Sequence, residues 1–153
     1  MLETGKRVPK LDATLQDGSL LKAADLRGSW LVLYFYPKDA TSGCTREAQD
    51  FRDLFDKFVA AGARIVGVSR DSAASHTRFI ERQPLPFDLI ADVDESWCKA
   101  YDVLGEKQLY GRRYIGVVRS TFLIDPHGVL VESWINLKVP GHAEAVLARL
   151  AES

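Results

Sequence analysis

LVLYFYPKDATSGC, residues 31–44, sets the architecture. Its first six positions, Leu31-Val32-Leu33-Tyr34-Phe35-Tyr36, are apolar or aromatic without polar alternation, as in a strand buried on both faces, and Pro37 ends the run. After the polar turn 38–43, Ala48, Phe51, Leu54, Phe55, Phe58 and Val59 recur at spacings of three and four, which predicts an amphipathic helix ending before Gly62. A second buried strand follows at 64–69. Strand, helix and strand over ~30 residues make one βαβ unit with a right-handed crossover.

Working outward, Asp17-Gly18 predicts the turn of a small N-terminal hairpin over residues 12–22. On the other side, 72–83 reads as a helix stopped before Pro84 and Pro86, and 87–91 as a short strand. Residues 92–103 read as a helix with Asp94 at its N-cap. Strands at 120–125 and 129–135 are joined by Pro126-His127-Gly128, and a helix at about 141–150 closes the chain. Residues 105–116 take no clear assignment. This order gives a three-layer α/β plan, a mixed central sheet flanked by helices with an N-terminal β-hairpin extension, and a thioredoxin-like fold suits it. One domain over 1–153 is expected at this length.

Twenty Lys plus Arg against twenty-one Asp plus Glu leave a net charge of -1, so no basic excess is available for nucleic acid or anionic lipid. No apolar run approaches the ~18 residues of a membrane span. MLETGKRVPKLD lacks the apolar stretch of an export signal, and the expectation is a cytoplasmic protein with reduced thiols. Cys44 and Cys98, the only cysteines, match no zinc spacing, and no Walker or GxGxxG motif is present.

Cys44 falls just past the buried strand, in the first turn of the following helix. Unpaired N–H groups and the positive helix end favour an anion there, and a thiol so placed can have its pKa lowered from ~8.5 to ~3.5–7.5. Gly43 admits close backbone approach, the Thr41 hydroxyl can donate to the sulfur and accept from a ligand, and Pro37 can fix the turn and exclude water. The plainer reading is a small buried hydrophobe. PKDATSGC is too polar and turn-like for that, so a reactive thiol is the better reading.

YFYPKDATSGCTRE contains Pro37, Thr41 and Cys44 in the spacing Pro-x-x-x-Thr-x-x-Cys, and so resembles the peroxidatic motif of peroxiredoxins. Together with Glu47, IVGVSRDS at 65–72, GVVRSTFLID at 116–125 and VPGHAEAVL at 139–147, it resembles the bacterioferritin comigratory protein or PrxQ subfamily over nearly the whole chain. The resemblance implies a cofactor-free and metal-free thiol peroxidase, acting on hydrogen peroxide and small organic hydroperoxides. It implies that Cys44 is the peroxidatic cysteine and that Arg119, in the word RSTF, points into the same pocket. Donors to the peroxide oxygens are then expected from Arg119, Thr41 and the N–H groups of Gly43 and Cys44. Glu47 is expected to orient Arg119, to serve the helix N-terminus, or both. A monomer is also implied.

The resembled subfamily often places a resolving cysteine five residues after the peroxidatic one, where this chain has Gln49, or on the helix after the second central strand, where it has Ile80. The expectation is therefore a one-cysteine cycle completed by an external thiol such as thioredoxin, glutaredoxin, glutathione or a lipoyl-type dithiol. Cys98, at the edge of an apolar face made by Trp97, Ala100, Tyr101 and Leu104, is read as structural, with an unusual resolving role as the alternative. A redox sensor that does not turn over is a further alternative. A disulfide reductase would need a Cys-x-x-Cys pair, and Thr41 stands in place of its first cysteine. Asp92, Asp94 and Glu95 are read as a helix start rather than a cation site. His76, His127 and His142 are expected to be exposed, and Lys107, Arg112 and Arg113 to solvate a loop.

Overall fold

In the computed structural model, which describes residues 2–153, the chain opens with the expected hairpin. Strands β1 (Ala13–Thr14) and β2 (Leu20–Leu21) pair antiparallel, and Gly18 takes a φ of +81° in the turn. A 3-10 turn (Ala23–Leu26) leads into β3 (Trp30–Phe35), followed by α1 (Ser42–Asp53), α2 (Phe55–Ala60), β4 (Ala63–Ser69), α3 (Ala73–Arg82) and β5 (Asp88–Ala91). Next come α4 (Ser96–Ala100), the hairpin β6 (Leu104–Leu109) and β7 (Arg112–Val117), strands β8 (Ser120–Ile124) and β9 (Leu130–Ile135), and α5 (His142–Ala151). The central sheet has the order β5-β4-β3-β8-β9; β3, β4 and β5 run parallel, and β8 is antiparallel to both of its neighbours, β3 and β9. This is a thioredoxin-like fold. No described helix is long and apolar enough to cross a membrane.

The period of two along β3 separates two cores. Leu31, Leu33 and Phe35 join Val66, Val68, Phe122 and the α4 residues Trp97, Cys98 and Tyr101 beneath the N-terminal segment. Val32, Tyr34 and Tyr36 join Cys44, Ala48 and Phe51 of α1, Phe58, Phe79, and Val146 of α5 on the other face. In β4, Gly67 is required by close approach, since a Cβ there would lie 2.7 Å from Leu89 and 2.9 Å from the Tyr34 ring.

Several boundaries differ from the sequence expectation. The helix after β3 starts at Ser42 and breaks at Leu54. The apolar periodicity reads through the break because Phe51 and Phe58 still reach one core, their rings 5.8 Å apart. Helix α4 is five residues long, much shorter than 92–103, because Asp102 turns the chain with a φ of +55°. Its N-cap position is held by Glu95, not Asp94, and it is the Asp92 carboxylate that accepts from the N–H groups of Trp97 and Cys98, at 3.0 and 2.9 Å. The unassigned segment 105–116 lies within the β6–β7 hairpin, turned at Tyr110 and Gly111, which both have positive φ.

Candidate active site

Thr41 occupies the N-cap of α1, and the first main-chain bond of the helix runs from Thr45 N–H to the Thr41 carbonyl. The N–H groups of Gly43 and Cys44, in the first turn, therefore have no helical acceptor. The thiol of Cys44, 1% exposed, packs against the sheet face of Tyr34 and Tyr36. From the turn between β7 and β8, Arg119 reaches across this helix start. Its Nη2 donates to Cys44 Sγ at 3.3 Å and its Nη1 to Glu47 Oε1 at 2.7 Å. A Cβ at Gly43 would lie 3.2 Å from Arg119 Nη2, so a residue without one lets the guanidinium lie over the first turn. Pro37 is half-buried at the start of the loop.

The Thr41 hydroxyl does not donate to the sulfur: it donates to the Lys38 carbonyl at 2.8 Å. Its proton is committed within the loop, which leaves its lone pairs to accept from a ligand.

Glu47 is buried; Oε1 holds Arg119 and Oε2 has no partner among the described residues. Burial pushes its carboxyl up to about 7, against the pull of the Arg119 guanidinium. Burial works against the Arg119 charge, but Glu47 and Cys44 outweigh it, and its pKa is raised. His142 is buried and not exposed as expected, and its Nε2 lies 2.8 Å from Thr121 Oγ1. Burial, then the charge of Arg119, brings its imidazole down to about 4. Lys107 is half-buried, its pKa lowered by burial and then by Arg119, whereas Arg112 and Arg113 are exposed.

Cys98 is fully buried in the core on the opposite face of the sheet from Cys44. Burial and the Asp92 carboxylate push its thiol pKa far up. Gln49 joins α1 to α3 through a 2.8 Å bond from its Nε2 to Gln83 Oε1, and Ile80 packs against the core that holds Cys44. His127 is exposed as expected, but His76 is wholly buried. It meets Asp39, a loop residue that sequence reasoning passed over; an aspartate between Pro37 and the Thr41 cap was the only local signal.

A buried cysteine sulfur in the first turn of a helix, with a guanidinium donating to it, in a thioredoxin-like fold defines the class of thiol peroxidases. Residues 4–133 match the AhpC/TSA family. Peroxiredoxin Bcp of Xanthomonas campestris pv. campestris is 49% identical over 140 residues, covering 92% of this chain and 88% of the relative. The structure of Xanthomonas campestris peroxiredoxin Q superposes with a TM-score of 0.91 at 46% identity, covering 97% of each chain. A second structure, of the bacterioferritin comigratory protein of that organism and described for its alkyl peroxide reduction activity, gives a TM-score of 0.91 at 45% identity over 98% of each chain. The chain belongs to the AhpC/TSA family, and within it to the BCP/PrxQ peroxiredoxins.

Proposed function

We propose that the chain reduces hydrogen peroxide and small organic hydroperoxides through Cys44, in a cycle that uses one cysteine of its own. The Cys44 thiolate attacks the terminal peroxide oxygen, the S–O bond forms as the O–O bond breaks, and the departing alkoxide or hydroxide takes a proton. Arg119 and the N–H groups of Gly43 and Cys44 stabilise charge on the oxygens, Thr41 accepts the peroxide O–H, Pro37 shields the sulfur, and Glu47 aims the guanidinium. The observation that carries this reading is the division of one guanidinium between Glu47 at 2.7 Å and the sulfur at 3.3 Å. The alkyl peroxide activity of the Xanthomonas campestris relative supports organic hydroperoxides as substrates.

The resulting sulfenic acid condenses with an external thiol, releasing water and leaving a mixed disulfide, which a second thiol reduces. Thioredoxin, glutaredoxin or a similar dithiol fits that role. Support for the single-cysteine cycle comes from Cys98, buried behind the sheet, and from Gln49 and Ile80 at the two positions where the subfamily places a resolving thiol. A reducing compartment, the cytoplasm, suits a cycle that consumes thiols. Every group of the site comes from one chain, so a monomer suffices.

The test is mass spectrometry of the parent, Cys44→Ser and Cys98→Ser after one equivalent of hydrogen peroxide, with a sulfenate trap and a non-reducing gel. Trapped sulfenate on Cys44 that persists in Cys98→Ser, without an internal disulfide in the parent, is the expected result. A Cys44–Cys98 disulfide overturns the one-cysteine cycle. An unreactive Cys44 overturns the peroxidatic assignment, and a sulfenate that no supplied thiol reduces points to a sensor.

A further inference from the structure

Asp39 is 6% exposed although its neighbours Lys38 and Ala40 are both exposed. A carboxylate is rarely buried unless every lone pair has work. Oδ1 accepts from Tyr36 Oη at 2.6 Å, while Oδ2 lies 2.9 Å from Ser75 Oγ and 2.7 Å from His76 Nδ1. The main-chain N–H of Asp39 donates to Asp71 Oδ2 at 2.9 Å, and the same oxygen accepts from the Ser69 hydroxyl. The middle of loop 37–41 is thus tied to the ends of β3 and β4 and to α3.

His76 extends the tie to β5. Its Nε2 lies 2.9 Å from the Ile90 carbonyl, which can only accept, so Nε2 carries a proton. Nδ1 faces a carboxylate oxygen at 2.7 Å, where two lone pairs would repel, so that contact holds a proton as well. That proton belongs to the ring and not to the carboxyl, because both Asp39 oxygens already accept from hydroxyls, Oδ1 from Tyr36 and Oδ2 from Ser75, so the imidazole carries two N–H groups. Imidazolium and carboxylate then cancel each other's charge, which is how both can be buried. Asp39, Asp71 and His76 converge as metal ligands could, but each already has protein partners for its facing atoms.

The held loop is strained. Ala40 has a φ of +62°, a left-handed geometry that a residue with a Cβ keeps only between fixed points. Asp39 is one such point; Thr41, bonded to Lys38 and opening α1, is the other.

We propose that Asp39 and His76, paired as carboxylate and imidazolium, are positioning residues for the peroxide reaction, pinning loop 37–41 and through it setting Thr41 and the first turn of α1 against Cys44 and Arg119. The proposal rests on Cys44 being the attacking sulfur. The first measurement is long-range 15N NMR of the His76 ring in the reduced parent protein near neutral pH. Both ring nitrogens carry protons; a bare, pyridine-type nitrogen overturns the pair. The second compares single-turnover oxidation of Cys44 by hydrogen peroxide with its alkylation by iodoacetamide, which needs the sulfur but not the loop. In Asp39→Ala and His76→Phe, oxidation slows about tenfold or more while alkylation holds or quickens. Asp39→Asn, whose amide can donate to a neutral His76, recovers oxidation to within about threefold of the parent, and its His76 shows one bare nitrogen. Equal slowing of both reactions, or parental oxidation in Asp39→Ala, overturns the positioning role. Where the alanine variant does not fold, the spectra and rates of the parent and Asp39→Asn decide. A parent that forms no sulfenic acid refutes the Cys44 reading and leaves the ring spectrum to judge the pair.

Discussion

Replacing Arg119 by methionine in a Cys44→Ser background isolates the partner of Glu47 from the chemistry of the thiol. Glu47 is 1% exposed, with Oε1 on Arg119 and Oε2 unpartnered among the described residues. Burial lifts its carboxyl from an ordinary 4.5 to about 7 even with the guanidinium present. Between those values Glu47 holds a proton in the folded chain that it has lost in the unfolded chain, so its contribution to stability falls as pH rises, by about 3 kcal/mol across the interval at about 1.4 kcal/mol per pH unit. Above pH 7 both states are ionised and the loss stops. Without Arg119 nothing compensates the buried charge, the folded carboxyl titrates higher still, and the loss continues. The methionine variant should trail its background by about 2 kcal/mol near pH 6, one charge-assisted hydrogen bond, and by roughly 2 kcal/mol more at pH 8.5. Urea titrations at pH 6, 7 and 8.5 read this directly. Adding Glu47→Gln to both proteins should remove the extra alkaline loss. Parallel pH profiles for the methionine variant and its background would refute the reasoning.

Arg119→Lys supplies one ammonium where two forked donors stood; it will satisfy Glu47 and leave the sulfur without its donor, so stability stays near the parent while the rate of sulfenate formation falls about 10²-fold, measured by stopped-flow. Cys98→Ala should lower stability by about 1–2 kcal/mol in urea titrations, through lost packing, without changing turnover with a supplied dithiol. His142, held at about 4 against an ordinary 6.5, stays neutral while the unfolded chain protonates, so stability is lost as pH falls through that interval, by at most about 3 kcal/mol before solvent screening. Glu47 contributes an opposite change of similar size over nearly the same range, so the two contributions offset each other in the parent: His142→Gln should gain stability toward acid and Glu47→Gln lose it, both read from thermal melts between pH 4 and 7.

The residues whose roles were legible in the sequence are those with a local signature. Residues 31–36 read as a buried strand because both faces of β3 are covered, and Asp17-Gly18 marked its turn because the chemistry of a turn is contained in two residues. The β6–β7 hairpin had no such signature: Leu109, Tyr110, Tyr114 and Ile115 are all exposed, so no period separates an inner from an outer face. Histidine carries no local mark of burial. His76 meets Asp39 across 37 positions and His142 meets Thr121 across 21, so both were read as surface residues. Arg119 lies 75 positions from Cys44, a pairing that only resemblance to the peroxiredoxin motif brought forward. Thr41 was read as part of a polar turn over 38–43 and is instead the N-cap of α1, and the direction of its proton depends on the Lys38 carbonyl, and so on the shape of a loop that spacing does not encode.

The disposition of the two thiols follows from the period of the strands. Tyr34 and Tyr36 face α1, so Cys44 shares their side of the sheet; Leu33 and Phe35 face α4, so Cys98 shares theirs. Bringing the sulfurs together would require one of them to pass the edge of a five-stranded sheet whose centre is β3, with both cores opened. The helix bearing Cys44 is also braced against its neighbour, since Gln49 bonds Gln83 and Arg52 Nη1 donates to the Gln83 carbonyl at 2.7 Å. Where the subfamily would place a sulfur, this chain has an amide that ties α1 to α3. On the proposed cycle, the first turn of α1 need only loosen enough to admit a reductant, while Glu47 and Gln49 keep the following turn in place.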